Sequence, residues 1–184
     1  MSHAVSRAAV ATLAACASVA AAAAPSADEA AFRALYKQLV EINTTLSVGS
    51  CTNAAQAMAA RLKAAGFPAA DVQVIAPPQR PKDGNLIAVL RGSDAKAKPL
   101  LLLAHLDVVE ARREDWQRDP FTLVEEGGFF YGRGTSDDKA MAAVFTDSLI
   151  RYRQEGFKPR RDIKLALTCG EETPDTFNGV HWLL

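Results

Sequence analysis

The stretch LLLLAHLDVV, residues 100–109, decides how the rest of the chain is interpreted. Four consecutive leucines predict a strand that is buried on both faces, since a half-exposed strand would alternate apolar and polar residues. This strand ends in His105-Leu106-Asp107. Residues two apart in an extended chain point to the same side, so the imidazole of His105 and the carboxylate of Asp107 are expected to face one cavity.

Helices and strands are predicted in alternation on both sides of this strand. The hydrophobic spacing predicts helices over 28–42, 53–65 and 138–155, strands over 71–75, 85–90 and 162–168, and a hairpin over 121–131. Apolar strands flanked by helices predict an α/β fold, a three-layer sandwich with a mostly parallel sheet. Binding sites in such sheets form where strands end, so the polar residues at strand ends are the candidates for a site.

Two further polar clusters follow predicted element boundaries. GRGTSDDK, residues 132–139, lies between the hairpin and a helix. Its ordinary interpretation is helix capping by Ser136, Asp137 or Asp138. A carboxylate held at a helix start, such as that of Asp137, can also face a cation. Glu171 and Glu172 follow the strand that ends at Thr168. In such a pair one carboxylate can bind a metal ion while the other takes a proton from water.

Each cluster alone is weak evidence for a site, whereas the three together are stronger. They follow one another at similar intervals, with 32 residues from His105 to Asp137. Each interval can hold one supersecondary unit, so the three clusters are expected to meet at one edge of the sheet. Carboxylates and an imidazole without clustered thiolates suit catalytic zinc, manganese or cobalt better than a structural cysteine site.

From residue 100 to 184 the chain resembles metallopeptidase family twenty, which includes aminoacylase, glutamate carboxypeptidases, acetylornithine deacetylase and succinyl-diaminopimelate desuccinylase. The resemblance is carried, in order and spacing, by HLDVV at 105–109, YGRGTSDDKA at 131–140 and CGEET at 169–173. Residues 28–92 resemble the opening helices and strands of the family less strongly. The resemblance implies a zinc-exopeptidase-like fold, with residues 25–184 as the N-terminal part of the catalytic domain.

The resemblance also implies a role for each matching residue. His105 would bind one metal ion, and Asp107 would orient its imidazole. Asp137 would bridge two metal ions. Glu171 would be the general base, and Glu172 would bind the second ion. The implied cofactor is two Zn²⁺ ions per site, with Co²⁺ or Mn²⁺ as alternatives.

The reaction implied by the resemblance is metal-dependent hydrolysis of the amide bond of a peptide or an N-acyl amino acid, by an exopeptidase or a deacylase. The family often has a cis peptide between the residues that match Asp137 and Asp138. It also needs an acidic ligand, a distant histidine and a lid and dimerisation domain that would follow residue 184. We therefore expect a truncated part of the enzyme that is inactive alone; a homodimer stays open for the complete enzyme.

Alternatives remain open at this point. A di-zinc aminopeptidase of the same clan also uses His-x-Asp, an aspartate before a helix and a glutamate pair, although the Gly-Arg-Gly and Asp-Asp-Lys sequences favour family twenty. A non-catalytic binding protein on this fold is disfavoured because His105, Asp137 and Glu171 are all present. An inert fragment is the third alternative.

The first 24 residues predict export. Arg7 precedes an alanine-rich run that ends in small residues, the arrangement of a secretory signal peptide, so a secreted or periplasmic protein is expected. Residues 13–16 resemble a lipobox, which leaves lipidation of Cys16 open as the less favoured alternative. The run is too short and too weakly apolar to span a membrane.

Composition excludes one class of partner. With 21 basic and 21 acidic side chains the formal net charge is zero, whereas nucleic-acid binding normally needs a basic face. A small peptide or N-acyl amino acid substrate is expected instead. Besides Cys16, the chain has Cys51 and Cys169. Two buried free thiols are favoured over a disulfide, because the sequence does not bring the two residues together.

Overall fold

A computed structural model describes residues 26–184 of the chain. The predicted signal peptide, residues 1–24, and Cys16 lie outside the described residues. The described helices and strands are α1 (Ala27–Glu41), α2 (Cys51–Ala64), β1 (Val72–Ile75), β2 (Asn85–Leu90), β3 (Leu100–His105), β4 (Val124–Glu126), β5 (Phe129–Tyr131), α3 (Lys139–Gln154), β6 (Ile163–Thr168) and α4 (Gly179–Leu183). In this part of the chain no helix combines the length and the apolar character that a membrane crossing requires.

Serine side chains set the starts of the first two helices. The Ser26 hydroxyl accepts a hydrogen bond from the backbone N–H of Glu29, and the Ser50 hydroxyl accepts one from that of Asn53. Such N-caps satisfy backbone donors that the first helical turn leaves free. Both helices therefore start slightly earlier than predicted, and Ser26 rather than Asp28 caps α1.

The sheet has the strand order β1-β2-β6-β3 and is mixed. Strands β3 and β6 are parallel, whereas β2 runs antiparallel to both of its neighbours. The prediction of an α/β fold is confirmed, but only one of the three strand pairs is parallel. The reason is connection length: a loop joins β1 directly to β2, whereas helix α3 lies between β3 and β6 and allows a parallel crossover.

Helices α1, α2 and α3 pack together, with α2 against β1 and β2 and with α3 against β3. The sheet residues facing them form the core, as in the register-paired row Val72, Ala88 and Leu165. The opposite face carries half-buried Ile87 and Val89. Helix α4 lies at one end of that face, where Gly179 contacts the side chain of Asn85. Three helices therefore cover one face of the sheet. The candidate site residues lie at the edge where β3 and β6 end.

The prediction that β3 is buried on both faces is wrong for the described residues. Leu101 and Leu103 are 55% and 45% exposed, and Leu100 is 48% exposed. The reason is the position of β3 at the edge of the sheet, with β6 as its strand neighbour on one side. Toward its carboxyl end β3 becomes buried, at Ala104 and His105, and this end carries the polar cluster.

The prediction of two free thiols is also wrong, because Cys51 and Cys169 form a disulfide. Cys51 is the first residue of α2, and Cys169 directly follows β6. Because α2 packs on the sheet, the two Cα atoms lie 5.9 Å apart although 118 residues separate them in the sequence. The disulfide ties the start of α2 to the segment that carries Glu171 and Glu172.

Candidate metal centre

The three polar clusters meet at one edge of the sheet, as the spacing predicts. His105 ends β3 and pairs in register with Thr168, which ends β6, so the loops that follow both strands leave from the same edge. The loop after β6 carries Glu171 and Glu172. Asp137 reaches this edge from the segment that precedes α3.

The imidazole of His105 is held with one nitrogen toward the protein and the other toward the carboxylates. Nδ1 lies 3.0 Å from the backbone oxygen of Asp107, and Nε2 lies 3.0 Å from Oδ1 of Asp137. Nε2 is also 3.8 Å from Oε2 of Glu171. A neutral imidazole that donates through Nδ1 has its Nε2 lone pair directed at this cluster, which is the arrangement of a metal-binding histidine.

The carboxylate of Asp107 holds the glutamate pair. It is buried, and it accepts hydrogen bonds from the backbone N–H of Glu171 at 3.2 Å and of Glu172 at 2.9 Å. Its Oδ1 lies 3.6 Å from Nδ1 of His105, beyond hydrogen-bond distance. The group of Asp107 at hydrogen-bond distance from the imidazole is thus its backbone carbonyl, while its side chain fixes the loop after β6.

The peptide bond between Asp137 and Asp138 is cis, as the resemblance implies. Asp138 occupies the N-cap position of α3, but its side chain makes no capping hydrogen bond. Its Oδ2 instead accepts a hydrogen bond from the backbone N–H of His105 at 3.2 Å. The interpretation of this carboxylate as a helix cap is therefore wrong: it binds the end of β3 to the start of α3.

The site concentrates negative charge around one imidazole. Burial acts to lower the pKa of His105, but hydrogen bonding to Asp107 and its charge outweigh burial and raise that pKa to about 9. Burial acts to raise the pKa of Asp107, but His105 and the two glutamate N–H groups lower it. The pKa of Glu172 is raised by burial and by the charge of Asp137. Burial likewise raises the pKa of Asp138.

The donor atoms fit a divalent cation. One ligand atom each from His105, Glu171 and Glu172 lies within 4.8 Å of the others, and Asp137 reaches the same imidazole nitrogen. One imidazole nitrogen with carboxylate oxygens suits zinc, cobalt or manganese. A cation would also offset the repulsion that raises the pKa of Glu172. Sequence reasoning separated Glu171 as a base, whereas the structure brings its carboxylate into the same group.

A cavity of about 200 Å³ opens beside these groups. Its lining includes the polar residues His105, Asp138 and Glu171 and the apolar residues Leu103 and Val180. A partly apolar cavity with a few polar groups is typical of a small-molecule site.

Sequence reasoning missed two residues that support the site. Fully buried Asn85 accepts a hydrogen bond from the backbone N–H of Cys169 at 2.9 Å through Oδ1. The hydroxyl of Thr44 donates to the backbone oxygen of Leu106 at 2.7 Å, between His105 and Asp107. The polar first residue of the apolar strand NLIAVL was the available signal for Asn85. Thr44 lies in a polar stretch that carries no comparable signal.

Comparison with known proteins agrees with this arrangement. Residues 101–184 match Peptidase family M20/M25/M40. Over 83 residues the chain is 43% identical to the N-fatty-acyl-amino acid synthase/hydrolase PM20D1 of Xenopus tropicalis, which covers 45% of this chain and 16% of that protein. Human carnosine dipeptidase 1 superposes with a TM-score of 0.59 at 26% identity, over 78% of this chain and 32% of that one.

An M20 family metallo-carboxypeptidase from Sulfolobus solfataricus superposes with a TM-score of 0.67 at 17% identity, over 83% of this chain and 33% of that one. At this identity the likeness shows the fold alone. The chain thus spans 16% of the curated relative and about a third of each solved structure. Residues 101–184, which contain the motifs that form the site, are thus similar to Peptidase family M20/M25/M40.

Proposed function

We propose that this chain is part of a metal-dependent hydrolase that cleaves the amide bonds of peptides or N-acyl amino acids. The observation that carries the proposal is the convergence of His105, Glu171 and Glu172, whose ligand atoms lie within 4.8 Å of one another. The similarity of residues 101–184 to Peptidase family M20/M25/M40 supports it. These side chains come from two different strand ends, so their convergence is a property of the fold.

The residues divide the chemistry between them. Bound divalent cations would polarise the substrate carbonyl and lower the pKa of water. His105 and Glu172 would hold the metal, because the imidazole can offer Nε2 while Nδ1 is held by the protein, and Glu172 is a partly buried carboxylate. The side chain of Glu171 is 63% exposed and can therefore reach a water molecule. It would take a proton from that water and return it to the leaving amine.

We further propose zinc as the metal and two ions per site, with Asp137 shared between them; Co²⁺ and Mn²⁺ are the alternatives. The contact of Asp137 with His105 and the raised pKa of Glu172, caused by burial and by the charge of Asp137, support a shared position for Asp137. A carboxylate has two oxygens and can contact two cations, whereas an imidazole offers one free nitrogen here.

Names of similar proteins guide the choice of substrates. PM20D1 is named for N-fatty-acyl amino acids and human carnosine dipeptidase 1 for a dipeptide. Both compounds contain an amide bond, so the shared chemistry is amide hydrolysis. N-acyl amino acids and dipeptides are therefore the substrates proposed for this chain's parent protein.

The test uses the product of the complete reading frame, purified with a chelator and then dialysed. Hydrolysis of an N-acyl amino acid and of a dipeptide with a free amino group is measured before and after addition of zinc, cobalt or manganese. The proposal predicts no turnover in the metal-free protein and recovery with at least one metal. Turnover that persists without metal would overturn it. A requirement for the free amino group would favour the aminopeptidase alternative.

We also propose that the protein is exported, through the signal peptide predicted for residues 1–24. The disulfide between Cys51 and Cys169 supports the proposal, since disulfides persist mainly in oxidising compartments. N-terminal sequencing after expression in a bacterium tests it. A mature protein that begins near Ala24, or a lipid on Cys16, is expected. Intact Met1 in a cytosolic pool would contradict export.

A further inference from the structure

Helix α1 holds the segment 135–139, which carries Asp137, by two hydrogen-bonded contacts. The hydroxyl of Tyr36 donates to the backbone oxygen of Thr135 at 2.6 Å. The ammonium group of Lys139 donates to the backbone oxygen of Ile42 at 2.6 Å and approaches that of Val40 at 3.4 Å. Each contact is two residues from Asp137, one on either side of it.

The contact of Lys139 satisfies a requirement of α1. The last carbonyl groups of a helix lack partners within the helix and carry its partial negative charge, so a cation stabilises them. The last turn of α1 has no basic residue of its own. Lys139, which is fully buried, supplies that cation from the start of α3 when it is protonated. The carbonyl groups at the end of α1 therefore gain a hydrogen-bond donor, and the buried ammonium group gains acceptors.

Packing leaves the Lys139 side chain little freedom. Gly134 has a positive φ of 83°, and a Cβ atom there would lie 2.9 Å from Cγ1 of Val108 and 3.0 Å from Cδ of Lys139. The aliphatic stem of the lysine therefore occupies the space that a side chain at position 134 would need. On another side, the ring of Phe121 lies 5.8 Å from Nζ. The stem of Lys139 therefore packs beside Gly134, and its ammonium group lies at the end of α1, near Phe121.

Asp137 itself is held much less directly. Its side chain is 76% exposed, and its Oδ1 lies 3.0 Å from Nε2 of His105. The position of its carboxylate is therefore set by the backbone of the segment 135–139. We propose that Tyr36 and Lys139 are positioning residues for Asp137, fastening this segment to α1 so that the carboxylate faces the metal donors. This inference rests on the function proposed above.

A positioning role and a merely structural role predict different results. If the two side chains only stabilise the fold, their loss should lower stability in the same way as the loss of any comparable buried bond. If they position Asp137, their loss should weaken metal binding beyond what the stability change explains. Loss of a residue that holds a metal ligand in place typically weakens metal binding by about 10–100-fold.

The experiment measures zinc affinity by competition calorimetry on the metal-free product of the complete reading frame. The variants are Tyr36→Phe, which removes one hydroxyl, and Lys139→Met, which keeps the stem and removes the ammonium. Thr146→Ala is the matched control, because Thr146 is fully buried on α3 and its hydroxyl bonds only within that helix. Urea unfolding of each protein reports the change in stability.

We expect about 10–100-fold weaker zinc binding at one site in Tyr36→Phe and Lys139→Met, and wild-type affinity in Thr146→Ala. Wild-type affinity in both test variants would overturn the positioning role and leave the proposed function standing. The positioning role would also be overturned if Thr146→Ala lost zinc affinity in proportion to its loss of stability. A general effect of stability on zinc binding would then explain the results. Absence of zinc binding in the wild type would overturn the proposed function itself. If Lys139→Met does not fold, Tyr36→Phe decides.

Discussion

Oδ2 of Asp107 lies 2.9 Å from the backbone nitrogen of Glu172. The same carboxylate accepts the N–H of Glu171, so one side chain after β3 fixes both glutamates after β6. Because its backbone oxygen contacts the imidazole of His105, Asp107 connects the nitrogen donor of the site to the carboxylate donors. The relative position of these donors is therefore set largely by one buried residue.

The substitution Asp107→Asn tests this connection. An amide has one oxygen acceptor, so one of the two backbone N–H groups would lose its partner and face an N–H₂ group. We expect a loss of about 1–3 kcal/mol in the free energy of unfolding, as for a buried donor without a partner, and about 10–100-fold weaker zinc binding. Urea unfolding and zinc calorimetry measure the two effects.

Asp115→Asn is the control, because Asp115 is exposed and belongs to none of the three clusters. It should leave both quantities unchanged. If Asp107→Asn behaves like this control, Asp107 does not organise the donors.

The pH dependence of the metal-free protein provides a second test. The pKa of His105 is raised from 6.5 to about 9, chiefly by Asp107 acting against burial. A raised pKa in the folded state means that the stabilisation is present below pH 6.5 and is lost as the pH rises through 9. The shift corresponds to a contribution of about 3 kcal/mol.

Buried Lys139 changes stability in the opposite direction over part of this range. Burial lowers its pKa from 10.5 to about 7, so its effect on stability becomes more favourable as the pH rises above 7. The test is therefore the stability difference between the wild type and His105→Asn. We expect this difference to shrink between pH 6.5 and 9.5 in urea unfolding with a chelator present. A difference that is constant with pH would contradict the raised pKa.

The disulfide gives a third prediction. Crosslinking residues 118 apart restricts the unfolded chain, and for a loop of this length the expected stabilisation is about 3–5 kcal/mol. The double variant Cys51→Ala with Cys169→Ala should lose about that amount in urea unfolding. Mass spectrometry after alkylation of the unfolded, unreduced protein should find neither cysteine labelled. Labelling of both would restore the expectation of free thiols.

The sequence predicted most of the site because its residues lie at strand and helix ends, which hydrophobic spacing locates well. Strand β2 has the predicted bounds, His105 ends β3, and Glu171 lies in the loop after β6, as expected. The sequence did not predict which distant segments become neighbours in the fold. The edge position of β3, the disulfide between Cys51 and Cys169 and the antiparallel course of β2 all depend on which elements become neighbours.

Side-chain partners were equally hidden from the sequence. Asp138 looks like a helix cap because of its place before α3, yet its carboxylate binds the N–H of His105. Lys139 carries no sequence signal of burial, yet it is fully buried against the end of α1. In both cases the partner of a polar side chain near the start of α3 lies in a segment that is distant in the sequence. Tertiary packing determines this partner, and sequence spacing does not reveal it.

We propose that Glu171 acts as the base of a metal-dependent amide hydrolase whose metal is held by neighbouring residues. The most direct measurement is the turnover of Glu171→Gln in the product of the complete reading frame, at saturating zinc and with metal content measured in parallel. Glu172→Gln is the comparison, which should bind less metal, and exposed Glu114→Gln is the control. We predict that Glu171→Gln retains its metal and loses about 10²–10⁴-fold in kcat. Turnover of Glu171→Gln equal to that of the Glu114→Gln control, with metal bound in both, would contradict the account.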